Sequence, residues 1–172
     1  PILGNDGVIT NQTRSFWTPA GSPDGPNVIA GGAAQHLTKE HKIYTHLTTT
    51  SGALTTPISN SEAIKSLMNL PTNISTDDFN KLINWANRVS PEASDDTRRE
   101  MEDPLHSRPV IINYSATKDS NGKVIADSVI YMATNSGYLH AFKADKDSFE
   151  EYFSYVPKEL LPNIAKYAKD TP

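Results

Sequence analysis

Five histidines are the side chains in this sequence best suited to bind a metal, and three of them recur at five-residue intervals: His36, His41 and His46. On a helix, five residues rotate the side-chain direction by about 140° beyond a full turn, and on a strand an odd step reverses the face. The spacing therefore argues against a shared metal site. For His106 and His140 we expect hydrogen bonds to a neighbouring strand or loop rather than a ligand role.

The sequence carries none of the residue patterns that usually accompany catalysis. It lacks the G-x-S-x-G and H-E-x-x-H motifs, and S-x-x-K does not occur with its companion motifs. Gly31-Gly32 lacks the spacing of a phosphate-binding loop. The pair indicates a close approach of the backbone to another segment, or the start of a helix. The absence of cysteine excludes disulfides, thiolate catalysis and cysteine-ligated metals. We therefore predict no catalytic, cofactor-binding or metal-binding residue and no enzymatic activity.

Length and composition favour one globular domain with an appendage. The chain has 172 residues, of which 37% are hydrophobic and 21% charged. Its 16 Lys and Arg against 20 Asp and Glu give a formal charge of -4, which argues against nucleic acid as a partner. No stretch reaches the roughly 18 apolar residues of a membrane-spanning helix. The loop-like ends suggest a piece of a longer protein.

The first hundred residues change from loop-rich to helical. Residues 1–60 are rich in Gly, Pro, Ser, Thr and Asn, with a short helix predicted within 28–37 and a strand over 42–47. Apolar spacing predicts helices over 62–70 and 77–89, the second capped by Ser75 or Thr76 and ended by Pro91. Residues 61–100 are interpreted as a helical insertion and linker. The carboxylates of 95–103 are interspersed with Arg98 and Arg99, as is typical of a solvated linker.

From 101 onward the apolar period becomes that of strands. Four strands are predicted, over 108–114, 127–134, 138–144 and 151–156, and turn signals such as Asn121-Gly122 separate them. Four strands with tight links form an antiparallel meander, and about 40–50 residues is the size of one propeller blade. Pro157 is expected to begin a trailing helix, which Pro162 would shorten or kink.

These elements predict a mainly β fold: a fragment of a β-propeller, with one antiparallel four-stranded blade and a small helical insertion. Residues 1–60 would be the loop-rich N-terminal part of the propeller domain, and 101–172 the blade with its trailing helix. One blade cannot close a ring, so either the N-terminal half adds irregular strands to the sheet or further blades lie beyond this sequence.

Large aromatic side chains are expected mostly in the core, with an exposed subset available for protein or sugar contacts. The helical segment within 48–100 is where we expect a partner surface, because insertions between sheet elements often carry function. The aromatic residues concerned are Trp17, Trp85, Tyr138, Phe142, Phe149, Tyr152, Phe153 and Tyr155.

The C-terminal half resembles the PilC/PilY family of type IV pilus biogenesis and tip-adhesin proteins. The resemblance lies in DPLHSRPV over 103–110, VIYMATNSGYLHAF over 129–142 and FSYVPKELLPNI over 153–164. Upstream, the matching pieces are Phe16-Trp17, GGAA over 31–34 and KIYT over 42–45. Glu102 and Ser136 depart from the residues that the family often has there, Gly and Asp.

The resemblance implies a quinoprotein-like β-propeller exported through the periplasm and outer membrane to the cell surface or pilus tip. Such a protein supports pilus biogenesis and twitching motility by opposing retraction, and it contributes to adhesion and surface sensing. The implied partners are pilin subunits, minor pilins above all, and host or abiotic surfaces.

Calcium is implied by the same resemblance, bound by an Asp-x-Asp-x-Asp loop in a later part of the propeller. In this chain Phe149 stands where the third ligand of a loop beginning at Asp145 would be. A loop aligned on Gly122 begins with Thr117 and ends with Ser128, so the bidentate acid is missing. We therefore interpret both segments as hairpin turns and expect no cofactor here. No Arg-Gly-Asp tripeptide supports integrin binding.

Two alternatives stay open. The first is a blade of a quinoprotein dehydrogenase of the PQQ type, although many such enzymes use an adjacent-cysteine disulfide that this sequence lacks. The second is a carbohydrate-binding β-domain. Exposed coplanar aromatic rings would favour the sugar-binding alternative, whereas a hydrophobic groove fitting pilin-like subunits would favour the pilus interpretation.

Overall fold

The fold was analysed in a computed structural model that describes residues 3–27, 30–37, 43–47, 56–89, 98, 101–145 and 148–169. The strands are β1 (Ile43–Thr45), β2 (Thr56–Pro57), β3 (Val110–Lys118), β4 (Val124–Ala133), β5 (Leu139–Lys143) and β6 (Glu151–Tyr155). The α-helices are α1 (Glu62–Leu67), α2 (Thr76–Ala86) and α3 (Leu161–Lys169), with 3₁₀ turns at Ala34–His36 and Lys158–Leu160. Within these ranges, no helix combines the length and apolarity needed to cross a membrane.

The six strands form one mixed sheet in the order β2-β1-β6-β5-β4-β3. The predicted antiparallel meander is confirmed, since β3 to β6 pair in sequence order. β1 joins the other side of β6 in parallel, with Ile43 opposite Ser154, and β2 pairs antiparallel with β1. The N-terminal half therefore adds strands to the same sheet. The fold is mainly β, and the propeller stays a prediction.

The first hairpin is longer than predicted. β3 runs to Lys118 rather than 114, and β4 begins at Val124 rather than 127. The Asp119 carboxylate accepts the backbone N–H groups of Asn121 and Lys123, and Gly122 has a φ of 77°. This tight turn holds the ends of the strands together, so the ladder continues through polar residues that break the apolar alternation. The interpretation of this segment as a turn is confirmed.

Local capping chemistry sets the helix ends. Ser75 caps α2 as predicted, since its side chain accepts the Asp78 N–H. The helix ends at Ala86 rather than 89, because Arg88 adopts a left-handed φ of 59°. The prediction that Pro91 ends this helix is wrong for that reason, and Pro91 itself lies outside the described residues.

Pro162 does not kink the trailing helix. It occupies the second position of α3, after a separate 3₁₀ turn that follows Pro157. A proline in the first helical turn sacrifices no hydrogen bond, because N–H groups there have no intrahelical partner. The segment is a 3₁₀ turn followed by a helix of nine residues, so of the two predicted outcomes the short helix is the one observed.

One apolar core joins the helices to the sheet. Ile64, Leu161 and Ile164 are fully buried, and Trp85 from α2 and Tyr138 next to β5 pack into the same cluster. The helices thus bury their apolar sides against the sheet. Further members of this core are Ile43, Ile58, Met68, Phe79, Leu82, Ile83, Ala86 and Val156.

Candidate protein-binding surface

The hairpin of β3 and β4 extends beyond the rest of the sheet. β5 pairs with β4 only over 129–133, whereas β3 and β4 remain paired out to Lys118 and Val124. Among the described residues, β3 has no strand on its outer side. The tip of the hairpin is therefore a two-stranded ribbon, and a ribbon of that kind has little independent stability in water without further contacts.

This hairpin exposes an unusual amount of apolar surface. Every residue of β3 is exposed, on both faces, as are the first four residues of β4. Six large side chains on it are between 43% and 61% exposed: Val110, Ile111, Ile112, Tyr114, Val124 and Ile125. We call these six residues the hairpin surface. Contiguous apolar exposure and an uncovered edge strand both mark sites where another chain packs.

A bulge and a pair of tyrosines shape the middle of the hairpin. The register shifts between Asn113 and Ser115, so that Tyr114 is the additional residue on β3. Its hydroxyl lies 2.6 Å from that of Tyr131, and this hydrogen bond raises the pKa of Tyr131 to about 12. The Tyr131 phenol is consequently neutral at pH 7. The bulge holds a large, half-polar side chain on the surface at the point where the ribbon leaves the sheet.

The segments 103–110 and 129–142, which carry the family resemblance, contact each other at the base of this hairpin. The Asn135 N–H donates to the Asp103 carbonyl oxygen at 2.8 Å, and His106 Nδ1 lies 3.0 Å from Asn135 Oδ1. Asp103 also accepts the Leu105 N–H through its carboxylate. The expectation that His106 hydrogen-bonds a neighbouring loop is confirmed. These contacts hold the segment that leads into β3 against the turn between β4 and β5.

Beneath the sheet, four polar side chains form a buried cluster that joins α2 to β5 and β6. The Arg88 guanidinium binds the Glu151 carboxylate at 2.8 and 3.3 Å, and Arg88 Nη2 lies 2.9 Å from His140 Nδ1. Ser154 donates to Glu151 at 2.8 Å and lies 2.6 Å from the same histidine nitrogen. We call Arg88, His140, Glu151 and Ser154 the buried polar cluster. The hydrogen bonds predicted for His140 are confirmed.

Sequence reasoning missed Arg88, Glu151 and Ser154. On a regular strand, Glu151 and Ser154 would point to opposite faces, because their separation is odd. The register shift between Ala141 and Phe142 leaves one additional residue in β6, which puts both side chains on the face of His140. A strand bulge carries no residue-type signal here, so only the pairing register could have disclosed this cluster.

Solvent does not reach the cluster. This burial determines the protonation state of its histidine and the structural role of the four side chains. Arg88 is 1% exposed, and His140 and Ser154 are fully buried. Burial lowers the pKa of His140, so the ring is neutral at pH 7. Since a guanidinium can only donate, Nδ1 accepts and the hydrogen of the neutral ring lies on Nε2. With no accessible side chain, the cluster fastens the helices to the sheet and presents no surface to a ligand.

The lowered pKa makes folding stability depend on pH. Below about pH 6.5 the unfolded chain takes up a proton at His140 that the folded chain does not, so the free energy of unfolding falls as the pH falls. The contribution is at most about 1.4 kcal/mol per pH unit. Urea unfolding at pH 7.5, 6.5 and 5.5 should show this slope in the parent chain and a flatter one in His140→Gln. Equal slopes in the parent chain and in His140→Gln would contradict the assignment.

The other histidines lie apart from this cluster. The His36 ring stacks on Phe149, and the His46 ring stacks on Tyr155. His41 lies outside the described residues. Among the residues that the structure describes, no three His, Asp or Glu side chains come together as metal ligands. The loop beginning at Asp145 is described only in part, so the expectation that no cofactor binds here stays a prediction.

The charged linker is less solvated than predicted. Arg98 stacks its guanidinium 4.2 Å from the centre of the Trp85 ring and binds Glu102 at 2.7 Å. Both charged side chains are largely covered, at 12% and 17% exposure. The prediction is wrong for these two residues because an arginine can cover an aromatic ring of the core while keeping a charge partner. The remainder of 91–100 lies outside the described residues.

Aromatic burial follows the expectation only in part. Trp85, Tyr138 and Phe142 are buried. The Tyr138 hydroxyl donates to the Ala86 carbonyl oxygen at 3.0 Å, and burial raises the pKa of this phenol. Five rings that we expected mainly in the core are half-buried: Trp17, Phe149, Tyr152, Phe153 and Tyr155.

The helical segment also leaves one groove open. Its volume is about 570 Å³, and it lies between the 70–82 stretch and α3, where Leu70, Ile74 and Lys169 contribute to its walls. The apolar sides of α1 and α2 are otherwise committed to the core. Among the described residues of this segment, the groove offers apolar surface to a partner, whereas α1 and α2 keep little of it free.

Comparison of this chain with known protein families, curated proteins and solved structures gives no match.

Proposed function

We propose that this chain is a non-enzymatic binding and assembly module of a pilus-associated surface protein, and that it contacts neighbouring subunits through the hairpin surface. The observation that carries the proposal is the exposed apolar surface of the β3–β4 hairpin, which lies on both of its faces. A chain with so much uncovered apolar strand is best stabilised by packing against another protein. Small ligands, by contrast, prefer concave sites.

The pilus context comes from the resemblance to the PilC/PilY family. The two segments with the most specific motifs contact each other through Asp103 and Asn135, at the base of the ribbon. This supports the view that the motifs maintain one structural unit from which the ribbon projects. Opposition to pilus retraction, adhesion and surface sensing are the roles proposed for the whole protein, with pilins, minor pilins above all, as the partners.

A binding assay against pilins tests this proposal. The full 172-residue chain is immobilised, and the soluble domains of the major and minor pilins from the organism that makes it are passed over the surface in biolayer interferometry. We expect saturable binding, and Ile111→Lys or Ile125→Lys should weaken it by at least about tenfold, since each places a charge in an apolar contact. Both side chains are more than half exposed, so the variants should fold normally.

Val8→Lys is the matched control, because Val8 is equally exposed at 59% but lies in the N-terminal loop. It should bind like the parent chain. If the parent binds no pilin, or if the two hairpin variants bind as tightly as the control, the proposed assembly role of this surface is wrong.

Deleting residues 50–90 would not show whether the helical segment binds pilins. It would remove α1, α2 and Arg88, and with them much of the core. Loss of binding after such a deletion would report unfolding as readily as a lost contact.

A further inference from the structure

A second concave feature lies where the N-terminal loop meets His36 and Phe149. It is a groove of about 540 Å³, within the size range of ligand sites. Its walls combine aromatic rings with a single charged side chain. The residues lining it are Arg14, Ser15, Phe16, Trp17, Thr18, Pro19, Ala20, His36 and Phe149. We call it the aromatic groove.

The walls of the groove are held in place by unusual backbone geometry. Trp17 has a φ of 68°, a conformation that bulky residues rarely adopt. Its indole N–H donates to the Asp145 carbonyl oxygen, and its own carbonyl accepts the Gln35 side-chain amide at 3.3 Å. Next to it, the Ser15 N–H donates to the Asp24 carboxylate at 2.9 Å. These contacts offset the strain and hold the groove open before any ligand arrives.

The rings meet edge to face. Trp17 lies 5.0 Å from Phe16 at an interplanar angle of 70°, and 5.1 Å from Phe149 at 83°. Such walls suit an inserted aromatic ring, which can stack on one neighbour while it meets another with its edge. They do not form the coplanar platform that would favour the carbohydrate-binding alternative. Phe16 is 58% exposed, so its ring is available to a ligand.

The charge of the groove further narrows the class of ligand that can bind there. Arg14 is its only Lys, Arg, Asp or Glu side chain, and it is exposed. Among the described residues it has no ion-pair partner. In a chain with a net charge of -4, an uncompensated guanidinium beside apolar rings favours a carboxylate on the ligand.

We propose that the aromatic groove binds a peptide segment in which an aromatic side chain is flanked by carboxylates. The ring packs against the exposed Phe16 ring beside Trp17, and a carboxylate binds the Arg14 guanidinium. This site is separate from the hairpin surface and would give the chain a second, sequence-selective contact with a protein partner.

Three acetylated, amidated pentapeptides test the proposal by isothermal titration against the full chain: Glu-Glu-Phe-Glu-Glu, Glu-Glu-Ala-Glu-Glu and Lys-Lys-Phe-Lys-Lys. The first should bind at least about tenfold more tightly than either of the others, and less tightly as salt is added. Phe16→Ser should abolish this preference for phenylalanine over alanine. Both Phe16 and Arg14 are exposed, so circular dichroism should show folded variants.

A charge swap gives the sharper result. Arg14→Glu should reverse the preference, so that the basic phenylalanine peptide binds more tightly than the acidic one. Arg108→Glu makes the same change of charge at an exposed position outside the groove and should keep the parent preference. If no peptide binds, or if Arg14→Glu behaves like Arg108→Glu, the proposal is overturned. The pilin assay through the hairpin surface is unaffected by either outcome.

Discussion

Replacing Arg88 with methionine is expected to lower the free energy of unfolding by about 3–5 kcal/mol, the cost of removing one partner from a buried ion pair. The Arg88 and Glu151 side chains are 1% and 5% exposed, so water cannot take over the role of the guanidinium. The Glu151 carboxylate would lose the bidentate partner that faces it, and His140 would lose a donor at Nδ1. Urea unfolding at pH 7.5 measures this loss.

A double variant separates the lost charge pair from other effects of the substitution. Arg88→Met combined with Glu151→Leu replaces both ions with apolar side chains, and it should be more stable than either single variant. Arg108→Met, at an exposed position, is the control and should change stability by no more than about 0.5 kcal/mol. Additive losses in the double variant would show that the pair does not couple the helix to the sheet.

Truncating Ile64 to alanine should lower the free energy of unfolding by about 2–5 kcal/mol, although this residue belongs to the short helix α1, far from β5 and β6 in sequence. Its side chain is fully buried in the core cluster that also contains Tyr138 and Val156. The helices and the sheet share this core, so they should unfold together. Native-state hydrogen exchange should therefore show the loss of protection in β5 and β6 as well as in α1.

Ser66→Ala is the matched control for this prediction, because it shortens an exposed side chain in the same helix. Its effect should stay within about 0.5 kcal/mol. If Ile64→Ala lowered protection in α1 and α2 and left the β5 amides unchanged, the helical segment would be an independent unit resting on the sheet.

The sequence was most informative where the deciding interactions are local. Asn121-Gly122 predicted the first hairpin because a tight turn needs a residue with positive φ, and Gly122 provides it. Ser75 predicted the start of α2 because its side chain satisfies a backbone N–H three residues away. These signals act over a few residues, so they survive in any context and can be recognised without knowing the fold.

The partners of the histidines show the limit of that approach. A hydrogen bond from His140 to a neighbouring strand or loop was predicted from the sequence, and it is present. Its partner Arg88 lies 52 residues away, and a bulge in β6 brings Glu151 to the same face. Neither the long-range contact nor the bulge has a recognisable spacing, since each depends on how complete elements pack.

By itself, the sequence determined the antiparallel meander, the two amphipathic helices and the N-terminal cap of α2, because turn chemistry, capping and periodic burial act between near neighbours. The tertiary structure alone decided the parallel pairing of β1 with β6, the buried polar cluster, the exposure of the hairpin surface and the aromatic groove. Each of these features depends on contacts between residues far apart in sequence. Whether a side chain in them is buried or exposed depends on which surfaces remain uncovered once the core has formed.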